Sequence, residues 1–188
     1  LKNRFVFPAI STNFGTKDGW VTQTLKDYYE ERARGGTALI IVETICVDFP
    51  VGKGTLGEPT GDDDRAIEGL TGLVAAIHKH GAKAAAQIHH AGREAHADIT
   101  GLQPVAPSAV PFPGGGETPR ALSVKEIRGL VERFGRAAAR MKKAGFDGIE
   151  VHGAAGYLIA QFTSRAVNKR TDEYGGPLKN RARFLLEI

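Results

Sequence analysis

One phrase recurs three times along the chain: a basic stretch, a glycine, then a short unbroken apolar run that finishes on polar side chains. It reads RARGGTALIIVE from Arg32 to Glu43, HKHGAKAAAQIHH from His78 to His90, and KKAGFDGIEVH from Lys142 to His152. Cations suit the C-terminal end of a helix through its dipole, and glycine takes the left-handed backbone that closes one. Gly36, Gly81 and Gly145 are therefore predicted helix stops. The apolar runs after them lack polar alternation, the pattern of strands covered on both faces in a parallel sheet.

The segments before the glycines carry helical stripes. Leu25, Tyr28, Tyr29 and Arg32 form one; Ile67, Leu70, Leu73, Val74 and Ile77 a second; Ile127, Leu130, Val131, Phe134, Ala138 and Met141 a third. Ser123-x-x-Glu126 opens the third as a capping box, in which each side chain satisfies a free backbone amide. Phe5 to Ile10 supplies an opening strand, and a last helix is predicted from about Leu178.

The order is thus β-α-β-α-β-α-β followed by a helix. Right-handed crossovers between parallel strands place all the strand C-termini on one side, where Ser11, Glu43, Gln87, His90 and His152 then gather. This is the layout of a (β/α)8 TIM barrel, with chemistry on the loops after the strands; the chain supplies about the first four βα units. A doubly wound open sheet is the rival, and the absence of G-x-G-x-x-G after the first strand argues against it. The stretch from His90 to Leu122, which includes PFPGGGETP, is long for a connection and reads as a lid.

Composition narrows the function classes. An apolar fraction of 41% and a charged fraction of 24% are those of an ordinary globular protein. The net charge is only +4, and the Lys and Arg are dispersed among acids rather than interleaved with aromatics, so nucleic acid is not the expected partner. No stretch approaches the ~20 apolar residues that cross a bilayer. Cys46 is the single cysteine, which leaves no internal disulfide or thiolate cluster in this stretch. A cytoplasmic location is expected. The chain begins at Leu1, its single methionine is Met141, and it stops at Ile188 inside an apolar helical pattern. Residues 1–188 are therefore expected to be the N-terminal half of one barrel domain cut from a longer protein.

Polar residues are densest from Glu150 to Asn180, as at the rim of an active site. Together with KNRFVFPA (Lys2 to Ala9), DGWVT (Asp18 to Thr22), RARGGTALIIVE, QIHHAGR (Gln87 to Arg93) and APS (Ala106 to Ser108), the segments HGAAGYLIAQF and NKRTDEYGG form a collinear series. In this series the chain resembles the Old Yellow Enzyme family of flavin-dependent oxidoreductases, and more closely its 2-enoate reductase and 2,4-dienoyl-CoA reductase branch.

The resemblance implies FMN held at the strand ends and NADH or NADPH as reductant. Pro8, Ala9, Ile10 and Ser11 would line the flavin, Thr44 would border its ring, and Gln87 would hydrogen-bond its pyrimidine edge, which suits an amide that both donates and accepts. His152 and Tyr157 would carry the chemistry: His152 binds the carbonyl of an activated alkene, and Tyr157 gives a proton to the α-carbon as hydride from flavin N5 reaches the β-carbon. The family pattern H-x-x-H/N-G-Y is broken here, because Ala155 stands where a second carbonyl donor is expected.

His90 fits the family's QxxHxGR and His89 lies outside it. As strand neighbours they point to opposite faces, so no shared metal is expected. His90 and Arg93 are read as loop organisers. Asn168, Arg170, Asp172, Tyr174, Gly175 and Gly176 are read as loop architecture, with Arg170 paired to Asp172 and both glycines in a tight turn. Glu43 is read as a buried hydrogen-bonding strand end.

The resemblance implies reduction of the activated C=C bond of a small unsaturated enone, enoate or enoyl thioester. Related amine dehydrogenases supply an alternative in which Ala155 reflects a substrate with no carbonyl. A 4Fe-4S cluster and FAD in a C-terminal part are conditional on sequence beyond this chain. A third expectation is of another class: a non-catalytic half-barrel that self-associates through open strand edges, giving a homo-oligomer and binding FMN poorly, since barrel phosphate sites commonly follow strands 7 and 8.

Overall fold

The computed structural model describes Leu1–Ile188. Four parallel strands form one sheet in the order β1 (Val6–Phe7), β2 (Leu39–Cys46), β3 (Lys83–His89), β6 (Gly148–Val151). Helices α1 (Gln23–Arg34), α2 (Ala66–His78) and α4 (Val124–Ala144) make the three crossovers between them. All the strand C-termini consequently lie along one edge, as the alternation of runs predicts.

The helices close as expected. Gly36, Gly81 and Gly145 have φ of 100°, 70° and 95°, a region that costs other residues a Cβ clash. Both hydrogen bonds of the Ser123–Glu126 capping box are formed, from Glu126 N to Ser123 Oγ and from Ser123 N to Glu126 Oε2. Helix α1 is capped at its other end by Thr22, whose Oγ1 accepts from Leu25 N.

The core lies between sheet and helices. Ile40, Val42, Ala84, Ala86 and Ile88 face Leu25, Tyr29, Leu70, Leu73, Ile77 and Phe134, all buried. The other face of the sheet carries Leu39, Ile41, Ala85 and Gln87 and is only half-buried. That differs from the expectation of strands covered on both sides, because nothing within the four-stranded sheet closes over its concave face.

The opening strand is shorter than its apolar run from Phe5 to Ile10. Only Val6 and Phe7 pair with β2, at Leu39 and Ile40. Pro8 follows and has no N–H to continue the ladder. Strand β2 runs beyond Glu43 to Cys46 through a bulge: Val42 pairs with Ala86, and Thr44 with Gln87, leaving Glu43 as the extra residue.

The stretch after β3 is more ordered than a simple lid. It contains a 3₁₀ turn (Gly92–Glu94), α3 (Ala97–Thr100) and the parallel pair β4 (Val105–Ala106) and β5 (Arg120–Ala121). Val105 and Ala106 are buried, and the continuously exposed part is Pro113 to Thr118. Helix α5 (Leu158–Thr163) follows Tyr157 directly, and α6 (Leu178–Arg181) with α7 (Arg183–Glu187) ends the chain, setting Phe184 against Phe134 and Phe162. No helix is long and apolar enough to cross a membrane.

The capping box gives a direct stability test. Ser123→Ala is expected to lower the unfolding free energy by about 1 kcal/mol, the usual worth of a helix N-cap, read as a reduced midpoint in urea without a changed slope.

Candidate active site

The bulge in β2 decides what faces the concave side. Had the pairing run on without it, Glu43 would sit opposite Gln87; with it, Thr44 takes that place. Gln87 is in turn level with Glu150 of β6. Ser11 Oγ lies 3.4 Å from Thr44 Oγ1, and Gln87 Nε2 donates to Glu150 Oε1 at 2.5 Å. Ser11, Thr44, Gln87 and Glu150 therefore form one polar row across the strand ends. Pro8 and Ile10, on the exposed segment leading to Ser11, present apolar surface beside it, with Ala9 half-buried between them.

Glu43, displaced from that row, is buried to 1% exposure. Its Oε2 accepts from Tyr29 Oη at 3.1 Å and from Thr12 N at 3.2 Å, and its own N–H donates to Tyr29 Oη at 2.8 Å. It pins the segment carrying Ser11 to helix α1. Burial pushes its carboxyl above the ordinary range, against the opposing pull of the Thr12 and Tyr29 hydrogen bonds. This is the buried hydrogen-bonding role expected of it, in the middle of β2 rather than at its end.

One step further along the strands lies the aromatic group. Residues two apart on a strand share a face, so His89 sits above Gln87 and His152 above Glu150. The His89 and His152 rings are 5.4 Å apart, and Tyr157 stands edge-on to both, at 4.4 Å from His89 and 4.9 Å from His152. His152 Nδ1 accepts from Ala154 N at 3.4 Å, which leaves Nε2 to carry the proton in the neutral ring. Burial, and then the neighbouring His89, depress the pKa of His152. Burial, with Glu94 and Glu58 nearby, raises that of Tyr157. Near neutral pH the pair is thus an uncharged imidazole donor and a protonated phenol, both suited to a developing negative charge.

The residues read as loop organisers and loop architecture make hydrogen bonds within and between the loops. His90 Nδ1 accepts from Gly92 N at 3.0 Å, and Arg93 Nη1 donates to Pro111 O at 2.9 Å. Arg170 makes a two-pronged pair with Asp172, at 3.0 Å and 2.5 Å, and also holds the Pro107 carbonyl. The two glycines differ: Gly176 has φ of 76°, whereas Gly175 is required because a Cβ there would meet Arg170 O at 2.1 Å. Ala155 has φ of 55°, one of two non-glycine residues with positive φ, and its side chain contributes no hydrogen-bonding group to the site.

The sequence patterns overlooked three residues. Glu150 is legible only once β3 and β6 are in register. His89 falls outside the family motif, although its spacing from Gln87 puts it on the same face. Glu58, in the loop after β2, is joined to His89 at 2.8 Å by the tertiary fold alone.

The model of the NADH:flavin oxidoreductase / NADH oxidase family matches residues 1–188. The chain belongs to that family. It is 51% identical over its whole length to an NADH oxidase of Thermoanaerobacter brockii, of which it spans 29%. Among solved structures, the Old Yellow Enzyme homologue of Zymomonas mobilis superposes with a TM-score of 0.92 at 36% identity, covering 99% of this chain and 54% of that one. A 2-naphthoyl-CoA reductase in complex with 2-naphthoyl-CoA superposes with a TM-score of 0.96 at 35% identity, covering 100% of this chain and 30% of that one. The fold is accordingly the first part of an Old Yellow Enzyme-type TIM barrel, and the chain spans less than a third of the curated relative.

The polar row of this family member is chemically compatible with FMN. Two hydroxyls and an amide are neutral partners suited to the uncharged pyrimidine edge of a flavin, and apolar Pro8 and Ile10 flank them. Glu150 accepts from the Gln87 amide, which leaves Gln87 Oε1 and the second amide hydrogen for other partners.

Glu43 yields a pH test whose sign follows from its raised pKa. The folded state binds a proton more tightly there than the unfolded chain, so stability falls as pH rises from the ordinary carboxylate range through the raised value. Glu43→Gln is expected to remove that slope, gaining on the parent protein as pH rises above the ordinary carboxylate range in urea titrations. Glu43→Ala, which strips the buried Tyr29 hydroxyl of an acceptor, is expected to cost about 1–3 kcal/mol at any pH.

Proposed function

We propose that the protein containing this chain is an FMN-dependent reductase of activated C=C bonds, driven by NADH or NADPH. The observation carrying this reading is the convergence of His152 and Tyr157, their rings 4.9 Å apart, on the sheet face that carries Thr44 and Gln87. Bound along that row, FMN supplies the hydride. Ser11 and Thr44 offer hydroxyls and Gln87 an amide to its pyrimidine edge, while Pro8, Ala9 and Ile10 flank its ring. His152 donates through Nε2 to the substrate carbonyl, where enolate charge develops. Tyr157 delivers its hydroxyl proton to the α-carbon from its own side of the substrate.

The 2-naphthoyl-CoA reductase carries a substrate whose unsaturation is conjugated to a thioester carbonyl, which supports a carbonyl-activated alkene as the substrate class. Ala155 supports a second reading, in which an amine is oxidised and no second carbonyl donor is needed. The backbone at position 155 keeps the left-handed geometry that Asn adopts readily.

Tyr157→Phe in the intact flavin-loaded protein is expected to lower kcat for enones, enoates or enoyl thioesters by about 10²–10⁴-fold, the usual contribution of a positioned general acid, with flavin content unchanged. Turnover of secondary or tertiary amines with no reduction of any such alkene would overturn the proposal. Ala155→Asn is expected to fold without penalty and to raise kcat/KM for simple enones, towards the roughly 10²-fold worth of one donor to a developing oxyanion.

A further inference from the structure

Two imidazoles border the Tyr157 ring, and only one of them belongs to the family motif. His89 is the nearer, at 4.4 Å between ring centroids and nearly perpendicular. It is 2% exposed, and Glu58, joined to its Nδ1 at 2.8 Å, is 1% exposed. A buried carboxylate on one ring nitrogen fixes the orientation of an imidazole.

Glu58 is itself held. Its Oε2 accepts from Gly54 N at 2.6 Å, and the loop that carries it is tied down by Lys53, whose buried ammonium donates to Lys17 O at 2.7 Å and Leu56 O at 2.8 Å. The other nitrogen of His89, Nε2, is buried without a protein partner on the ring that borders Tyr157 and His152. An isolated buried imidazole nitrogen is costly where packing alone is required, and an apolar side chain would fill the space at lower cost.

We propose that the Glu58–His89 pair is a positioning device for the proton donor, holding the Tyr157 ring at the angle from which it protonates one face of the substrate. The inference rests on the reading of Tyr157 as that donor. It also gives a physical account of Ala155. A site with one carbonyl donor at His152 has less hold on its substrate, so the angle of the proton donor needs support from the protein side. Besides Glu58, the charged or titratable groups around His89 are Cys46, level with it on β2, Glu94, His152 and Tyr157.

The test is the stereochemistry of protonation. The intact flavin-loaded protein would reduce 2-methylcyclohex-2-enone with NADH deuterated at C4 in ordinary water, the β-deuterium reporting the face of hydride addition by NMR and the configuration of the methyl-bearing α-carbon reporting the face of protonation by chiral chromatography. His89→Leu is expected to retain flavin and the face of hydride addition, to lose selectivity at the α-carbon, and to lower kcat by about 10²-fold, the penalty of a misplaced reacting group, with KM little changed. Glu58→Gln offers one acceptor oxygen to two donors, His89 Nδ1 and Gly54 N, and is expected to show the same defect more mildly.

The Tyr157→Phe variant in the same assay separates two failures. If it keeps full rate and a single α-configuration, or if the parent protein leaves the enone untouched, the reading of Tyr157 falls and the inference with it. If Tyr157→Phe loses selectivity while His89→Leu keeps both selectivity and rate, the inference alone is overturned. Loss of flavin or of cooperative unfolding in both His89→Leu and Glu58→Gln would make the pair a support of the fold and likewise overturn it.

Discussion

The parallel pairing of β2, β3 and β6 is the constraint on which the rest depends. Side chains level with one another in a parallel ladder point to the same face, so pairing alone sets Thr44, Gln87 and Glu150 side by side. The next inward positions, His89 and His152, follow two residues later. The Gln87–Glu150 hydrogen bond and the approach of His89 to His152 are built on that frame. A shift of one residue in β3 would send Gln87 and His89 to the helix side and bring Ile88 and His90 inward.

The bulge at Glu43 shows how local irregularity serves the site. A second carboxylate level with Gln87, opposite Glu150, would add charge beside the hydroxyls and the amide that suit a flavin edge. One extra residue substitutes the Thr44 hydroxyl and turns Glu43 towards Tyr29 and Thr12. The same carboxylate then ties Thr12 to α1, which anchors the far end of the segment from Pro8 to Ser11 after the ladder has stopped at Phe7. Burial of charged or polar groups recurs around the site, at Glu43, Lys53, Glu58 and His89. Each has at least one hydrogen-bonded partner, and each ties a loop to a strand or to a neighbouring loop rather than strand to strand.

Much of the frame was legible beforehand. The basic-glycine-apolar phrase located three helix stops and the strands after them, because a helix end and a buried parallel strand each place strong, short-range demands on residue type. Ser123 and Glu126 announced a helix start for the same reason. Collinear motifs led to the family, and to Ser11, Thr44, Gln87, His152 and Tyr157 as candidate residues, all of which the fold brings to one edge. Pro8 was in plain view as a ladder breaker, yet the apolar run around it suggested a longer strand. Helix α5 was missed because its six residues, Leu158–Thr163, are too few to display a stripe.

Sequence by itself determined the alternating βα order, three helix stops and one helix start, the family and the types of group available for chemistry, since these follow from local backbone preferences and from motifs read in order. Tertiary structure alone decided which of those groups meet. Glu58 and His89 are 31 residues apart in the chain, and nothing in the composition of either segment requires them to pair. Their contact comes from a loop closing over the end of the neighbouring strand. Likewise the register of β3 against β6, rather than any motif, gives Gln87 its partner Glu150. Long-range contacts of this kind are set by how elements pack, and packing depends on the whole sheet at once rather than on any one stretch of it.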